Sequence, residues 1–463
     1  MKGVIGVYSH RQATNKAVNV LYGVQHRGQE SSGISASGNT SLRTWNGKGL
    51  VSNVFQDHFP NFIHPEDYAV IGCTSDENTT HNDLPPIVVQ SDRYTLSLAY
   101  DGYMFKKNGG RIEDALGKIV LEEIEEHGIQ TGLSNALNSF PRGYFSMVAL
   151  LLDKTEKKSY LIILRDSKAV RPLYYGYNDT ELYVASESAP FDILESMGVN
   201  FNERTDFPPG ALLIKDREGH KLLQILKPKP AHCVFEWAYF GRPDSVIEGK
   251  TVHMVRKRLG RGLVNTHSLK ELYDEDINQG KEVVLIPVPD SGRSVCIGVA
   301  EALGKPADEG VIKNAYLGRT YIIDDPEYRK KASDLKHNII KETVKGKKVM
   351  ITDDSIVRGT VSESVAKNLL QAGAKEVEFL VSYAPIFYPC FSDSKDKTLA
   401  AAEYRGESIF EIGEKVALKL PSINKVRYNT PNNILEAVGL DTENICTYCI
   451  SGVSPFTSEE LKP

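Results

Sequence analysis

The sequence is poor in cysteine, methionine and tryptophan, and it contains no long hydrophobic run. Its 463 residues include six cysteines, six methionines and two tryptophans. No apolar segment approaches the length of a membrane span, and the amino terminus lacks a signal-peptide pattern. The formal net charge of -5 argues against general binding to nucleic acid or to a membrane surface. These absences predict a cytoplasmic globular protein with two or more domains.

The few cysteines are too sparse for a disulfide scaffold. Cys446 and Cys449 nevertheless form a C-x-x-C pair near the end of the chain. In a chain of this length the pair favours a reduced compartment and a metal or cluster site. Four cysteine thiolates can hold either zinc or an iron-sulfur cluster, and the sequence pattern does not separate the two.

Hydrophobic patterns divide the chain into two parts. Residues 1–228 contain short strand patterns, with helical patterns at Ala13–Val24 and Ile112–His127, which predicts stacked sheets with helices outside. The proline-containing segment 226–233 is a plausible boundary. Residues 229–463 alternate strand and helix patterns and predict a parallel sheet. The strands are expected at Val283–Val288, Val349–Thr352 and Val377–Ser382, and the helices at Arg293–Leu303 and Ser362–Ala372.

The stretch VMITDDSIVRGT, from Val349 to Thr360, carries the clearest chemical signal. Its apolar run reads as a buried strand, so Asp353 and Asp354 fall at the carboxyl end, where parallel sheets hold ligands. The turn that follows offers hydroxyls, positive charge and a glycine before a helix, which suits a phosphate group. An ordinary strand-to-helix turn would explain either half of the motif alone. The combination favours a ribose 5-phosphate site.

A basic segment precedes that strand. Residues 328–348, YRKKASDLKHNIIKETVKGKK, are poorly periodic and follow a strand-like Tyr321–Ile323. We expect a mobile loop that can cover an anionic ligand. A solvated helix face is the alternative.

Together with IPVPDSG at Ile286–Gly292, the ribose motif resembles the type I phosphoribosyltransferases. Four further strings extend the resemblance to the amidophosphoribosyltransferase family, from Gly3 to about Phe456. They are QHRGQESSGI (25–34), RPLYYG (171–176), RPDSVIEGKTVH (242–253) and VIKNAYLGRTYI (311–322). The resemblance implies a mixed α/β and α+β fold. An Ntn-hydrolase-like αββα sandwich over residues 1–228 would precede a type I phosphoribosyltransferase domain over residues 229–463.

The resemblance also implies ligands. Phosphoribosyl pyrophosphate and Mg2+ would bind at the transferase motifs, with Ser291, Asp353 and Asp354 at the Mg2+ positions. The implied residues for phosphoribosyl pyrophosphate are Asp290, Ser291, Gly292, Lys313, Lys336, Asp353, Asp354, Ser355, Ile356, Val357, Arg358, Gly359 and Thr360. The family further implies purine nucleotide effectors and a homotetramer.

Four cysteines occupy the ligand positions of the iron-sulfur branch of the family: Cys233, Cys390, Cys446 and Cys449. The resemblance therefore implies a 4Fe-4S cluster, with zinc as the competitor. We expect Cys73 and Cys296 to be ordinary buried residues.

The resemblance implies that residues 1–228 are a glutaminase-type domain, but the chain departs there from the family pattern at the nucleophile, the carboxylate clamp and the oxyanion hole. Lys2 stands where the family has its amino-terminal nucleophilic cysteine, and removal of Met1 would expose Lys2 rather than a cysteine. An acidic Asp101 falls at the oxyanion position, where negative charge must develop. Arg111 replaces a substrate-binding Asp. Cys73, Thr74, Ser75 and Asp76 stand where the family has the Arg-Tyr pair of its carboxylate clamp. Its His-Asn-Gly-Asn string appears as Tyr100, Asp101, Gly102 and Tyr103, in which only the glycine is kept. We therefore predict no glutamine hydrolysis.

The transferase half departs less. Val361 replaces a Thr of the phosphate turn, and Ala315 and Asp334 replace arginines, while Arg319 and Thr320 keep the family string. Lys313, Lys330 and Lys331 could supply the missing charge. The first hypothesis is a phosphoribosyltransferase that makes phosphoribosylamine from ammonia. The alternative is a non-catalytic or regulatory paralog that assembles with a complete amidophosphoribosyltransferase.

Overall fold

The structure, a computed structural model, describes residues 1–56, 59–77, 84–104, 111–140, 142–314, 337–391 and 398–457. Among these residues, none of the helices combines the length and the apolar character that crossing a bilayer requires.

The amino-terminal part is built from antiparallel strands. They are β1 (Lys2–Tyr8), β2 (Ser31–Ser37), β3 (Leu42–Lys48), β4 (Ala69–Ser75), β5 (Ile87–Gln90), β6 (Tyr94–Met104), β7 (Gly143–Asp153), β8 (Lys158–Arg165), β9 (Tyr174–Tyr177), β10 (Leu182–Ala185), β11 (Glu203–Asp206), β12 (Ala211–Lys215) and β13 (His220–Gln224). One sheet has the order β11-β9-β10-β1-β4-β2-β3, and the other has the order β13-β12-β8-β7-β6-β5. These strands account for the short strand patterns of residues 1–228.

The two sheets pack face to face between two helical layers. Residues of both sheets, including Val4, Ile71, Val148 and Ile163, share one buried core. Helices α1 (Ala13–Gly23) and α5 (Ala189–Ser196) cover one sheet, α3 (Ile112–His127) and α4 (Ile129–Ser139) cover the other, and α2 is the short turn Val51–Val54. Each helix buries an apolar stripe against its sheet. The predicted αββα sandwich is confirmed.

The carboxyl-terminal part centres on a four-stranded parallel sheet. Its strands are β17 (Val283–Pro287), β20 (Lys348–Asp353), β21 (Glu376–Val381) and β22 (Lys425–Tyr428), in that order across the sheet. The neighbouring helices are α6 (Val252–Thr266), α7 (Leu269–Asn278), α8 (Arg293–Leu303), α9 (Lys341–Val344), α10 (Thr360–Gln371), α11 (Ile409–Lys419), α12 (Pro431–Val438) and α13 (Tyr448–Ser451).

Apolar side chains are buried on both faces of this sheet. Val349 and Ile351 of β20 enter the core that contains α10 and α11, whereas Met350 between them enters the core beneath α6 and α8. A strand covered on both faces needs an uninterrupted apolar run, which is what the sequence contains. The predicted parallel sheet is confirmed.

The basic segment 328–348 is not loop throughout. Two short strands, β18 (Val311–Lys313) and β19 (His337–Ile339), pair antiparallel, and α9 follows. Val344 is fully buried and Ile339 packs against the same core, so these apolar residues anchor the end of the segment to the sheet. The prediction of a loop up to Lys348 is therefore wrong for this end. Residues 315–336 lie outside the described residues, as does the strand expected at Tyr321–Ile323.

Short pairings join the end of the chain to the start of its second part. Strand β14 (His232–Cys233) runs parallel to β23 (Ile445–Cys446), and β15 (Val246–Ile247) pairs with β16 (Lys250–Thr251). The Lys168 ammonium of the amino-terminal part donates a 2.8 Å hydrogen bond to the Pro455 carbonyl. The tail thus contacts both parts, and the domain boundary after residue 228 stays a prediction.

Candidate active site

Two adjacent carboxylates, those of Asp353 and Asp354, lie at the carboxyl end of β20, which is an inner strand of the parallel sheet. The Ser291 hydroxyl donates to Oδ1 of Asp353 at 3.1 Å, and the backbone amide of Asp354 donates to the same oxygen at 2.9 Å. The Ser355 hydroxyl donates to Oδ2 of Asp354 at 2.6 Å. The structure therefore brings together the three residues predicted for Mg2+, Ser291, Asp353 and Asp354.

None of these donors carries a positive charge. Burial, and after it the neighbouring carboxylate of Asp354, raise the pKa of Asp353 well above its ordinary value. A divalent cation would relieve this repulsion, and Mg2+ is commonly held by one or two carboxylates together with substrate phosphates. The oxygen atoms of Ser291, Asp353 and Asp354 therefore fit Mg2+ as a ligand set.

The loop between β17 and α8 is pressed against β20. A Cβ on Gly292 would lie 2.2 Å from the Thr352 carbonyl oxygen, so only glycine fits there. The Val288 amide donates to that same carbonyl at 2.9 Å, and the Thr352 hydroxyl donates to the Gly292 carbonyl at 3.1 Å. These bonds fix Ser291 beside Asp353. At the outer end of the loop, the Lys313 ammonium donates to Asp290 at 3.2 Å.

The turn after the carboxylates opens helix α10. Gly359 has φ +85°, a left-handed conformation, and a Cβ there would lie 2.7 Å from a Leu420 methyl carbon. Because glycine precedes the helix, no side chain caps its first amides. Ile356 is buried and anchors the turn, while Val357, Arg358 and Thr360 are exposed. The turn therefore offers helix-end amides and a positive charge to an anion.

Several predicted site residues cannot be placed. Lys336, the remaining residue of the phosphoribosyl pyrophosphate set, lies outside the described residues. The same holds for Ala315, Arg319, Thr320, Lys330, Lys331 and Asp334.

The four predicted cluster cysteines converge where the tail meets the second part. The β14–β23 pairing places Cys233 opposite Cys446, and Tyr383 Oη lies 3.3 Å from Cys449 Sγ. Burial, followed by the influence of Cys446 and Cys390, raises the pKa of Cys233 well above its ordinary value. Burial likewise raises the pKa of Cys446 to about 12 and that of Cys449 to about 11. No disulfide involves these cysteines.

A buried group of convergent thiols fits a site whose bound metal would draw off their protons. Among the described residues, no three His, Cys, Asp or Glu side chains are arranged to hold a single metal ion. Cys73 and Cys296 are buried residues elsewhere, as expected.

In the amino-terminal part, Lys2 begins β1 and is buried. Its backbone amide donates to Oδ1 of Asp101 at 3.0 Å. Its ammonium lies 2.9 Å from Glu113 Oε1, 3.2 Å from Glu77 Oε2 and 4.7 Å from the centre of the Tyr100 ring. Burial favours the neutral amine, but these neighbours outweigh it and hold the pKa of Lys2 above its ordinary value.

Sequence reasoning missed a buried charge network behind Asp101. The Arg27 guanidinium donates to Glu236 twice at 3.0 Å, to Glu187 at 2.8 Å and to Asp101 at 3.1 Å. Arg171 also donates to Glu236, at 2.8 Å. Burial opposes ionisation of Asp101, yet Arg171 and Arg27 hold its pKa below the ordinary value. The two arginines stand in strings that carried the resemblance, but no sequence signal marked Glu187 or Glu236.

Comparison with known proteins gives matches over nearly the whole chain, although no protein-family model matches. The amidophosphoribosyltransferase of Methanothermobacter thermautotrophicus is 30% identical over an alignment of 489 residues with its gaps, which covers 98% of this chain and 94% of that protein. The amidophosphoribosyltransferase of Methanocaldococcus jannaschii is 30% identical over 498 residues, 98% of each chain.

Two solved structures share the fold. Glutamine phosphoribosylpyrophosphate amidotransferase from B. subtilis, complexed with ADP and GMP, superposes with a TM-score of 0.80 at 28% identity, over 98% of this chain and 97% of that chain. A structure described as the allosteric regulatory enzyme of purine biosynthesis gives a TM-score of 0.79 at 28% identity, over 98% and 96%. The chain therefore belongs to the amidophosphoribosyltransferase family.

Proposed function

We propose that this chain binds phosphoribosyl pyrophosphate and Mg2+ and forms 5-phosphoribosylamine from ammonia, as a step of purine biosynthesis. One observation carries the proposal: the buried carboxylates Asp353 and Asp354 lie beside a phosphate-type turn and accept hydrogen bonds from uncharged donors. The names of the relatives supply the reaction class, and one solved relative is described as an enzyme of purine biosynthesis.

Each part of the site has a task in this reaction. The amides that open α10 and the Arg358 guanidinium bind the 5-phosphate, and Gly359 lets the phosphate approach the backbone. Ser291, Asp353 and Asp354 would hold Mg2+, which neutralises charge on the leaving pyrophosphate when bound. Ammonia forms a bond to C1 of the ribose as the bond from C1 to the pyrophosphate oxygen breaks. The amine then loses one proton to the solvent.

The amino-terminal half is proposed to lack glutamine hydrolysis. Lys2 keeps its proton, because its pKa is raised, and a protonated amine is no nucleophile. Burial raises the pKa of the Cys73 thiol to about 12, so this thiol is also protonated. Arg171 and Arg27 hold the pKa of Asp101 below its ordinary value, and Arg27 donates a hydrogen bond to it, which supports the interpretation that this position is structural. Ammonia would then come from solution or from a partner.

We assign Cys233, Cys390, Cys446 and Cys449 to a 4Fe-4S cluster rather than to zinc. The four cysteines lie close enough to influence each other's pKa, and they occupy the ligand positions of the iron-sulfur branch of the family, which is why the cluster is preferred to zinc. Anaerobic purification should yield a coloured protein with about four irons per chain, whereas a colourless, zinc-loaded protein would contradict the assignment.

Purine nucleotides are proposed as effectors, since the B. subtilis relative was solved with ADP and GMP. A homotetramer remains an implication of the family resemblance.

The decisive experiment compares nitrogen sources. The purified chain, kept anaerobic, is incubated with phosphoribosyl pyrophosphate, Mg2+ and either ammonium or glutamine, and released pyrophosphate is measured. We expect release with ammonium and none with glutamine, and D354N serves as the inactive control. Release driven by glutamine alone would contradict the proposed loss of hydrolysis. Binding of phosphoribosyl pyrophosphate without release under either condition would favour the regulatory paralog.

A further inference from the structure

The ammonium group of Lys2 lies in a three-sided cage. Two walls are the carboxylates of Glu113 and Glu77, at 2.9 and 3.2 Å, and the third is the ring face of Tyr100, whose centre is 4.7 Å away. Carboxylates together with an aromatic face are the groups by which proteins bind organic ammonium ions. We call Glu77, Tyr100 and Glu113 the ammonium cage.

The cage is assembled from three separate parts of the chain, none of which is the strand that carries Lys2. Glu77 follows β4, Tyr100 belongs to β6, and Glu113 stands in the first turn of α3. Tyr100 and Glu113 lie on elements packed into one core, so the scaffold holds these two walls in place whatever occupies the cage.

The cage is buried at Lys2 and Glu113 and reaches solvent at Glu77. The side chains of Lys2 and Glu113 are only 6% and 11% exposed, whereas that of Glu77 is 54% exposed. A small molecule could therefore reach the site past Glu77 if the Lys2 side chain were absent. Buried Glu113 would then be left without its cation.

We propose that the ammonium cage is a binding site for a primary ammonium group, which the chain fills with its own Lys2 as a tethered ligand. As a consequence, this binding site in the amino-terminal half is already occupied by the chain's own side chain and needs no external ligand. This inference extends the proposed absence of glutamine hydrolysis, but it depends on the geometry of the cage alone.

Replacing Lys2 by alanine tests the proposal directly. K2A removes three carbons and the amine, the atoms of n-propylammonium. We expect the melting temperature of the full chain to fall by roughly 5–10 °C, because a buried carboxylate loses its partner. Tens of millimolar n-propylammonium chloride should recover at least half of that loss. The neutral isostere n-propanol and potassium chloride should recover none of it.

The chain offers a matched control in Lys158. Its ammonium lies 2.8 Å from Asp216, 3.0 Å from Glu218 and 5.3 Å from the centre of the Tyr160 ring, the same kinds of groups as in the cage. This set is more open to solvent than the cage, because the side chains of Lys158 and Asp216 are each 21% exposed and that of Glu218 is 85% exposed. K158A should therefore lower the melting temperature by less than about 2 °C and show no recovery with n-propylammonium.

A second variant covers the case in which K2A does not fold. K2A/E113Q neutralises the orphaned carboxylate, so it should be more stable than K2A and should no longer respond to n-propylammonium. For an unfolded K2A, the yield of refolded protein with n-propylammonium is compared with the yield with n-propanol. The proposal is overturned if n-propylammonium and n-propanol give K2A equal yields or equal melting temperatures. It is also overturned if K2A/E113Q responds fully to n-propylammonium.

The failure of this proposal is distinct from the failure of the proposed function. Pyrophosphate release driven by glutamine would contradict the lost hydrolysis and leave amine recovery of K2A untouched. If n-propylammonium does not restore the melting temperature of K2A, Lys2 forms an ordinary buried ion pair. The proposed ammonia-dependent reaction is not affected by that result.

Discussion

Asp101 in the amino-terminal part and Asp353 in the carboxyl-terminal part are similarly buried aspartates, and their pKa values move in opposite directions. Asp101 contacts the Arg27 guanidinium and the Lys2 amide, and its pKa is lowered. Asp353 accepts hydrogen bonds from the Ser291 hydroxyl and the Asp354 amide and lies beside the carboxylate of Asp354, and its pKa is raised. Burial alone does not decide the charge of a carboxylate; the cations that the fold supplies do. We call the surroundings of Asp101 the first region and those of Asp353 the second region. The first region already contains the cations that pair with its carboxylates, and the second can accept a cation.

The largest expected effect breaks the second region. D353N removes one of the carboxylates proposed for Mg2+, and we expect pyrophosphate release to fall by at least about 100-fold. The melting temperature should stay the same or rise, because the variant removes an uncompensated buried charge.

The control for D353N lies near the opposite end of β20. Asp276 accepts hydrogen bonds from Lys348 at 2.6 Å and from Lys281 at 2.8 Å. D276N should lower the melting temperature and leave the rate of pyrophosphate release unchanged. Loss of stability in D353N comparable to that in D276N would contradict the comparison between the two aspartates.

The next effect breaks the first region. E236A removes a carboxylate that neutralises Arg27 and Arg171, both buried, and we expect the free energy of unfolding to fall by about 3–5 kcal/mol in urea denaturation. The control is D192N, which breaks an exposed ion pair with Arg204 and should cost less than about 1 kcal/mol. If both variants cost the same, the network is not a structural unit.

A single pH titration of stability and activity distinguishes the region around Asp101 from the region around Asp353. A lowered pKa means that Asp101 and Glu187 contribute stability above the ordinary carboxyl value of about 4, and that this stability is lost as pH falls below it. The raised pKa of Asp353 has the opposite sign, since its folded state holds the proton more tightly.

Protons should therefore compete with Mg2+ at Asp353 while the first region is still stable. As pH falls below the raised pKa, the Mg2+ concentration for half-maximal activity should rise by up to about tenfold per pH unit. Circular dichroism should show unfolding only at lower pH. A Mg2+ requirement that is constant down to the unfolding transition would contradict this assignment.

The smallest effect sharpens the second region. Val361 is 55% exposed in the first turn of α10, at the position where the family resemblance implies a threonine. V361T adds a hydroxyl to the phosphate turn and should lower the KM for phosphoribosyl pyrophosphate by about 2–5-fold, equivalent to roughly 1 kcal/mol or less. L370T, an exposed change near the other end of the same helix, should leave KM unchanged.

Local pattern predicted most of the elements. The helices α3 and α8 begin and end at the residues that periodicity indicated, and the two-sided burial of β20 follows from its apolar run. The prediction was wrong at the end of the basic segment. There β19 pairs with β18 across residues 315–336, and no local pattern encodes a partner so distant in sequence.

The candidate site was predictable to the same extent. Ser291, Asp353 and Asp354 were found because they flank buried strands whose carboxyl ends meet at one edge of a parallel sheet. The ammonium cage and Glu236 were missed because their members come from separate elements and occupy no motif. Family strings pointed to Arg27 and Arg171 without saying which acids neutralise them.

The sequence by itself determined the alternation of strands and helices, the family, and which residue types stand at each chemical position, because these depend on local periodicity and on the order of motifs. Only the tertiary structure decided which of the buried carboxylates have cations. That choice depends on side chains up to 209 positions apart, as in the pair of Arg27 and Glu236, and distances of a few ångströms between such residues exist only in the folded chain.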